Sequence, residues 1–348
     1  MVQHTVTGET ESSSEVYLVT GSHGHIGSYI VEQLVKQKSN IEIVCVDNFY
    51  NANLDNLKIP YNMINSRSNV KIHDVRVDIT DAKLMRDTFE KYKPLYVFHC
   101  ASYLTLDSKE NKSRSVMVNT YGSALIFELS LEFDVKKVVY SSSASVYGNP
   151  DVVHTTENHN FDNCKLLYGA TKVATEYIAK SFMEEEGLPI VGLRYFNVYG
   201  PRQSLSNVYT QIVPKWIRQI KNGEQITIYG DGTQTMDMIH GSDIGKANVS
   251  AMDNEECKNM FINVATGIQT SVIKLLDIMK HSMRKYIGEN SIDILYDKHD
   301  PNLVKQRQAD VTLMHKYLGK HQIEIQEGID ITCYDLYDKV DSFNFSNA

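Results

Sequence analysis

Tyr168 and Lys172 stand four residues apart in LLYGATKVATEY. On a helix that spacing puts both side chains on one face. An ammonium beside a phenol favours the phenolate, and so would a second positive charge held against it. Together they would draw the phenol from its ordinary pKa of about 10 toward neutrality. Tyr168 then becomes a general base, and Lys172 can hydrogen-bond a ribose. The spacing alone is common, and it gains meaning from a second feature upstream. VYLVTGSHGHIGSYIVEQLV places Gly21, Gly24 and Gly27 between an apolar run and an amphipathic one. A strand turning sharply into a helix needs glycine where the backbone approaches a pyrophosphate, and the helix N-terminus offers free N–H groups to it. His25 and Ile26 complete this turn, with His25 read as shaping the loop. Asp47 follows Gly27 by twenty residues and ends the next apolar run. A carboxylate there accepts hydrogen bonds from an adenosine ribose and repels a 2′-phosphate. The pattern selects NAD over NADP. A third feature is the run SSSASVYG at 141–148. Its hydroxyls follow an apolar run, where a sheet end would let one of them bond a reacting oxygen.

These groups need a scaffold that brings them together. Short apolar runs at 16–20, 41–47, 71–77, 95–100, 137–141 and 190–194 read as strands apolar on both faces. Helical periodicity at 27–38, 118–132 and 168–185 separates several of them. That alternation predicts an α/β fold built on a doubly wound parallel sheet. After Gly200 the rhythm breaks into shorter elements with turns at 200–201 and 230–232. We expect a flexible stretch at 1–14, a dinucleotide-binding domain at 15–193 to which 237–265 returns, and a smaller interleaved substrate-binding α/β domain from 194–236 and 266–348.

The 348 residues carry a net charge of −8. That balance disfavours a nucleic-acid surface. Five scattered cysteines without a CxxC pair argue against a disulfide framework or structural zinc, and the twelve histidines show no metal spacing. Cys45 and Cys100 read as buried thiols. The polar opening MVQHTVTGETESSSE lacks an apolar signal core, and no stretch nears the roughly 20 apolar residues of a membrane span. A soluble, cytoplasmic setting is the expectation.

Taken together, the motifs resemble the extended short-chain dehydrogenase/reductase superfamily. Within it the chain looks most like the NAD-dependent epimerase/dehydratase family and its nucleotide-sugar epimerases of the UDP-glucose 4-epimerase kind. The likeness spans about 16–319. It rests on TGSHGHIGS, VDNF, HCAS at 99–102, NTYGS at 119–123, SSSASVYG, YGATK at 168–172, LRYFNVYGPRQ at 193–203, IYGDGTQT at 228–235, IHGSD at 239–243 and NVATG at 263–267. The resemblance implies that Ser143, Tyr168 and Lys172 are catalytic. It implies that Asp78 and Ile79 flank the adenine, and that Asn48, Ala101, Ser102, Tyr103, Asn119, Ser141, Tyr195 and Phe196 serve the cofactor. Asn197 would meet the diphosphate of a nucleotide sugar. The implied reaction is redox-neutral: Tyr168 takes the 4-hydroxyl proton, a 4-keto sugar turns over, and NAD stays resident. The implied assembly is a homodimer through helices near 118–132 and 168–185.

Relatives that eliminate water or carbon dioxide carry an acidic residue before Val-Tyr-Gly. Here Ala144 and Ser145 stand there, which disfavours both reactions. A net oxidoreductase acting on a hydroxylated small molecule is the alternative, and a non-catalytic dinucleotide sensor is a third reading. Three positions depart from the family. Met236 replaces a diphosphate-binding arginine, Gly241 replaces a valine, and Leu104 replaces a lysine found in some 4-epimerases. A thioether makes no charge-assisted bond to phosphate, so Arg202, Lys305 or Arg307 would have to compensate, with Arg202 counted among the substrate-binding residues.

Overall fold

The computed structural model describes residues 14–67, 69–204, 211–288, 292–298 and 304–340. Of the opening stretch only Ser14 falls within this range, and its hydroxyl donates to Glu42.

Seven parallel strands form the central sheet: β1 (Glu15–Thr20), β2 (Ile41–Asp47), β3 (Val70–Arg76), β4 (Tyr96–His99), β5 (Lys137–Ser143), β6 (Ile190–Tyr195) and β7 (Met260–Val264). Their order is β7-β6-β5-β4-β1-β2-β3. The chain runs outward from β1 in one direction, then returns and runs outward in the other. That reversal opens a crevice at the carboxyl ends of β1 and β4, the place where such sheets bind ligands. The strands are apolar on both faces because both faces are covered. Tyr17 and Val19 of β1, with Ile43 and Cys45 of β2, join one buried layer. Leu18, Val44 and Val46 join the opposite one. The first layer is closed by helices α1 (His25–Gln37) and α5 (Gly241–Asp253), the second by α2 (Ser123–Glu132) and α3 (Leu167–Glu185).

A third core surrounds Trp216, Ile217, Leu275, Met279 and Ile329. It is built by α4 (Ile212–Asn222), α6 (Val272–Ile287), α7 (Ile325–Leu336) and short strands Ile226–Tyr229 and Thr235–His240. Two of the small pairings join it to segments that follow strands of the central sheet. Strand Asn197–Tyr199 pairs in parallel with Thr235–His240. The two-residue strand Gln308–Ala309 pairs with His154–Thr155.

The helix expected over 118–132 is not uniform. Met117–Gly122 is a π-helical turn that leads into α2. The cause is local. Two side-chain donors, Ser123 Oγ at 2.7 Å and Thr175 Oγ1 at 2.9 Å, take the Asn119 carbonyl. Such wide turns are frequent at functional sites. This one aims the Asn119 side chain at the loop after β4.

A two-chambered candidate active site

The turn after β1 shows why its glycines are needed. Gly21 has φ +65°, and a Cβ there would sit 2.8 Å from the Ala101 nitrogen. A Cβ on Gly27 would lie 2.2 Å from the Gly21 carbonyl oxygen. Side chains at these points would push α1 off the turn and push the turn off the loop after β4. Gly24 begins α1 with no side-chain cap. The helix therefore presents uncapped N–H groups to the crevice, a site suited to an anion.

A cavity of about 310 Å³ opens over this turn. Gly21, Gly24, His25, Ile26, Gly27, Asp47, Asn48, Asp78, Ile79, Ala101, Ser102, Tyr103, Ser143, Tyr168, Tyr195 and Phe196 all line it. The Asp47 carboxylate is buried. It accepts from the His23 N–H at 3.0 Å and the Phe49 N–H at 2.9 Å. Burial raises its pKa, and the two N–H groups partly offset the rise. Asp78 behaves differently. Burial opposes its ionisation, but hydrogen bonds from Thr80 and Asn48 and the Arg114 guanidinium outweigh that and hold it below the usual carboxylate range. His25 is half-buried, and desolvation together with the neighbouring His240 and Arg202 lowers it to about 3, so it is neutral.

Asn119, Ser141 and Lys172 stand behind this wall and do not line it. Asn119 Oδ1 accepts from the Tyr103 N–H at 2.7 Å, and its Nδ2 donates to the Tyr103 carbonyl at 3.0 Å. It fixes the loop that forms the wall. Lys172 Nζ donates to the Ser141 carbonyl at 2.8 Å and lies 5.8 Å from the Tyr168 ring centre.

The proton chemistry expected of Tyr168 is only half assembled in the chain itself. Burial raises the phenol, with the Ser143 hydroxyl opposing it. Burial also lowers Lys172 to about 8, against the pull of Cys100 and Glu176. The lysine alone does not activate the phenol, because desolvation weighs on both groups. Of the two thiols read as buried, Cys45 is, but Cys100 faces the cavity.

A second cavity, of about 560 Å³, adjoins the first, and both share Ser143, Tyr195, Phe196, Val198 and Gln211. Its walls come from strands Asn197–Tyr199, Ile226–Tyr229 and Thr235–His240 and from α4. Asn197 and Met236 line it, and so do the cations Lys215 and Arg307. No carboxylate is found among the described lining residues. Asn197 Oδ1 is buried without a hydrogen-bond partner in the described residues. Arg307 donates to the Gly148 carbonyl at 3.2 Å, and burial lowers it to about 10, which leaves it charged at neutral pH.

Arg202 corrects an expectation. It does not line the second cavity. Its guanidinium pairs with Glu32 on α1 and stacks 4.2 Å from the Tyr29 ring centre. A positive φ of 70° turns the chain so that the side chain runs toward α1. Gly241 belongs to the same cluster, since a Cβ there would lie 2.4 Å from Tyr29. Lys305 is exposed. Of the three cations proposed to replace the missing arginine, Arg307 is the one at the cavity.

Sequence reasoning missed Tyr50, Asn51, Lys215 and Trp216. Tyr50 stacks on Tyr103 at 5.0 Å over the first cavity. The signal for Lys215 and Trp216 was present in the amphipathic run IVPKWIRQI. Among the described residues no three His, Cys, Asp or Glu side chains gather as a metal site. No helix of the described residues is long and apolar enough to cross a membrane.

The chain is similar to known proteins over nearly its whole length. It is 32% identical over 342 residues to UDP-glucose 4-epimerase of Drosophila melanogaster, covering 92% of this chain and 95% of that one. A solved UDP-N-acetylglucosamine 4-epimerase from Methanobrevibacter ruminantium, in complex with UDP-N-acetylmuramic acid, is 32% identical. It superposes with a TM-score of 0.82 over 94% of this chain and 100% of the other. The UDP-glucose 4-epimerase of Thermotoga maritima, solved with UDP-glucose, is 28% identical with a TM-score of 0.81, covering 93% and 99%. The sequence pattern of the NAD dependent epimerase/dehydratase family matches residues 17–265. With the glycine turn, the uncapped helix and Asp47 all facing one crevice, the chain belongs to the NAD dependent epimerase/dehydratase family, and its cofactor is NAD.

Proposed function

We propose that this protein is a nucleotide-sugar 4-epimerase. The observation that carries the reading is the junction of the two cavities. Ser143 lies in the walls of both, Tyr168 faces the cofactor side beside it, and the far chamber carries two cations without a carboxylate. A ligand with a neutral ring and an anionic tail fits that distribution of charge. The diphosphate would lie toward Arg307 and Lys215, with the Asn197 amide beside it. The sugar would reach Ser143 and Tyr168.

When bound, NAD would supply the acceptor and donor for the hydride of the sugar C4. The chain does the rest. Tyr168 takes the proton of the 4-hydroxyl and gives it back, and Ser143 bonds the same oxygen. Tyr168 stands where burial disfavours its phenolate, a cost that the positive charge of a bound oxidised nicotinamide would offset. Ala144 and Ser145 follow Ser143, so the loop supplies no carboxylate for eliminating water. A 4-keto sugar would turn over in the second chamber, whose volume is about 560 Å³. We further propose a homodimer through α2 and α3, near which Met117, Tyr121 and Tyr177 lie exposed.

The test is incubation with a panel of UDP- and dTDP-sugars, with products identified by NMR and NADH followed by absorbance. Epimer formation without NADH accumulation supports the reading. Net NADH formation would instead make the protein a dehydrogenase.

A further inference from the structure

Behind the catalytic face lies a buried ion pair that touches neither cavity. Glu176 and Arg194 are almost fully enclosed. Glu176 Oε1 accepts from the Ser142 hydroxyl at 2.6 Å and from Arg194 Nε at 2.9 Å, and its Oε2 accepts from Arg194 Nη2 at 2.6 Å. Arg194 Nη1 donates to the Tyr147 hydroxyl at 2.8 Å and the Glu157 carbonyl at 2.7 Å. Every side-chain nitrogen and oxygen of the pair thus makes at least one hydrogen bond.

The placement of these bonds is informative. Three successive residues at the end of β5 have three different partners. The Ser141 carbonyl holds Lys172, the Ser142 hydroxyl is held by Glu176, and Ser143 faces Tyr168. Lys172 and Glu176 are one turn apart on α3. Two bonds therefore pin the helix to the strand end, one on each side of the Ser142 peptide. They fix both its rotation and its position along the strand, and so the approach of Tyr168 to Ser143.

A buried ion pair is a weak stabiliser, because desolvating two charges offsets their attraction. An apolar pair would hold these elements together as well. It would not select one register, whereas a bidentate guanidinium–carboxylate pair accepts one geometry. We propose that Glu176 and Arg194 are positioning residues for the reaction, holding α3 in register with the end of β5 so that Tyr168, Lys172 and Ser143 meet. This rests on the epimerase reading above. Glu176 has a second effect on the same centre. Of the groups facing Lys172, the His99 ring is held neutral, Cys100 is a thiol and Tyr168 a phenol. Glu176 is the neighbouring carboxylate and favours the ammonium.

The test uses the NAD-loaded protein in three forms: wild type, Glu176→Gln, and a charge-free Glu176→Leu/Arg194→Met variant whose fold is checked by Tm and circular dichroism. Misplacing a base by a fraction of an ångström lowers kcat without removing a binding contact. Both variants should lose at least about 10-fold in kcat with KM within about 3-fold of wild type. The Lys172 amine, followed by the NMR of its Cε and assigned by its loss in Lys172→Arg, should titrate at least about half a unit lower in Glu176→Gln. A folded charge-free variant with kcat within about 2-fold of wild type would overturn the proposal. If the wild type converts no nucleotide sugar, the epimerase reading fails by itself. The Lys172 titration then decides, and an unmoved midpoint in Glu176→Gln overturns the positioning role. Should Glu176→Gln not fold, the charge-free variant decides alone.

Discussion

The two chambers are made in opposite ways. The first takes its anion-binding end from backbone. Its anion site is an uncapped helix start, and its walls are the short segments that leave the ends of β1, β2, β3 and β4. The second is built from side chains on segments far apart in the sequence, among them Asn197, Lys215, Met236 and Arg307. A backbone site tolerates replacement of its neighbours, because its donors are present in every sequence that adopts the fold. A side-chain site does not. Met236 stands where the resemblance implies an arginine, and Lys215 and Arg307 are the cations lining the same chamber.

That contrast can be broken most sharply at the junction. Tyr168→Phe should lower kcat by about 10³-fold or more, the scale of a lost general base, while NAD affinity by calorimetry stays within about 2-fold. Loss of NAD binding would show that the chambers are not separable. Next in size is Arg307→Ala. Removing a charge-assisted bond worth about 1.5–3 kcal/mol should raise KM for a nucleotide sugar by about 10–100-fold and leave NAD binding alone. An unchanged KM would move the grip to Lys215. Arg202→Ala sharpens the comparison from outside both chambers. It leaves Glu32 buried with only Lys36 as partner, so the protein should lose about 3 kcal/mol of stability in urea unfolding with KM within about 2-fold. A large KM change would return Arg202 to the substrate.

The smallest effect concerns stability and pH. Lys172 is buried and held at about 8, against about 10.4 in an unfolded chain. Between those values the unfolded chain binds the extra proton, so stability rises with pH there, and below about 8 the full penalty is present. Lys172→Met should therefore raise Tm at pH 7, by about 2 kcal/mol of stability once the lost bond to Ser141 is counted. The gain should fade as pH climbs toward 10. A variant less stable than wild type at pH 7 would mean that Lys172 is a structural strut and its burial no burden.

The first chamber was legible because its determinants are contiguous. Gly21 to Gly27, Asp47 and the serine run each announce a strand end by type and spacing alone. What escaped was the consequence of packing. The Asn119 π turn depends on Thr175 donating from another helix. Cys100 reads as core from its apolar neighbours, yet it lies past the end of β4 and faces the crevice. Arg202 reads as a free cation in GPRQ, and only a partner 170 residues earlier, Glu32, shows where it goes. The part of the phenol's environment that burial sets is hidden for a related reason. Spacing shows that Tyr168 and Lys172 share a face, but not that both are desolvated there.

The bridge between His154–Thr155 and Gln308–Ala309 bears on the order in which the molecule is made. Seven strands and the glycine turn lie within the first 264 residues, and most sheet pairings join strands near one another in sequence. Arg307 is delivered only when a two-residue strand closes a loop of about 150 residues, which is slow to form and late to emerge during synthesis. A nascent chain is therefore expected to complete its cofactor chamber before its substrate chamber, so the dinucleotide could stabilise it before it holds anything to transform.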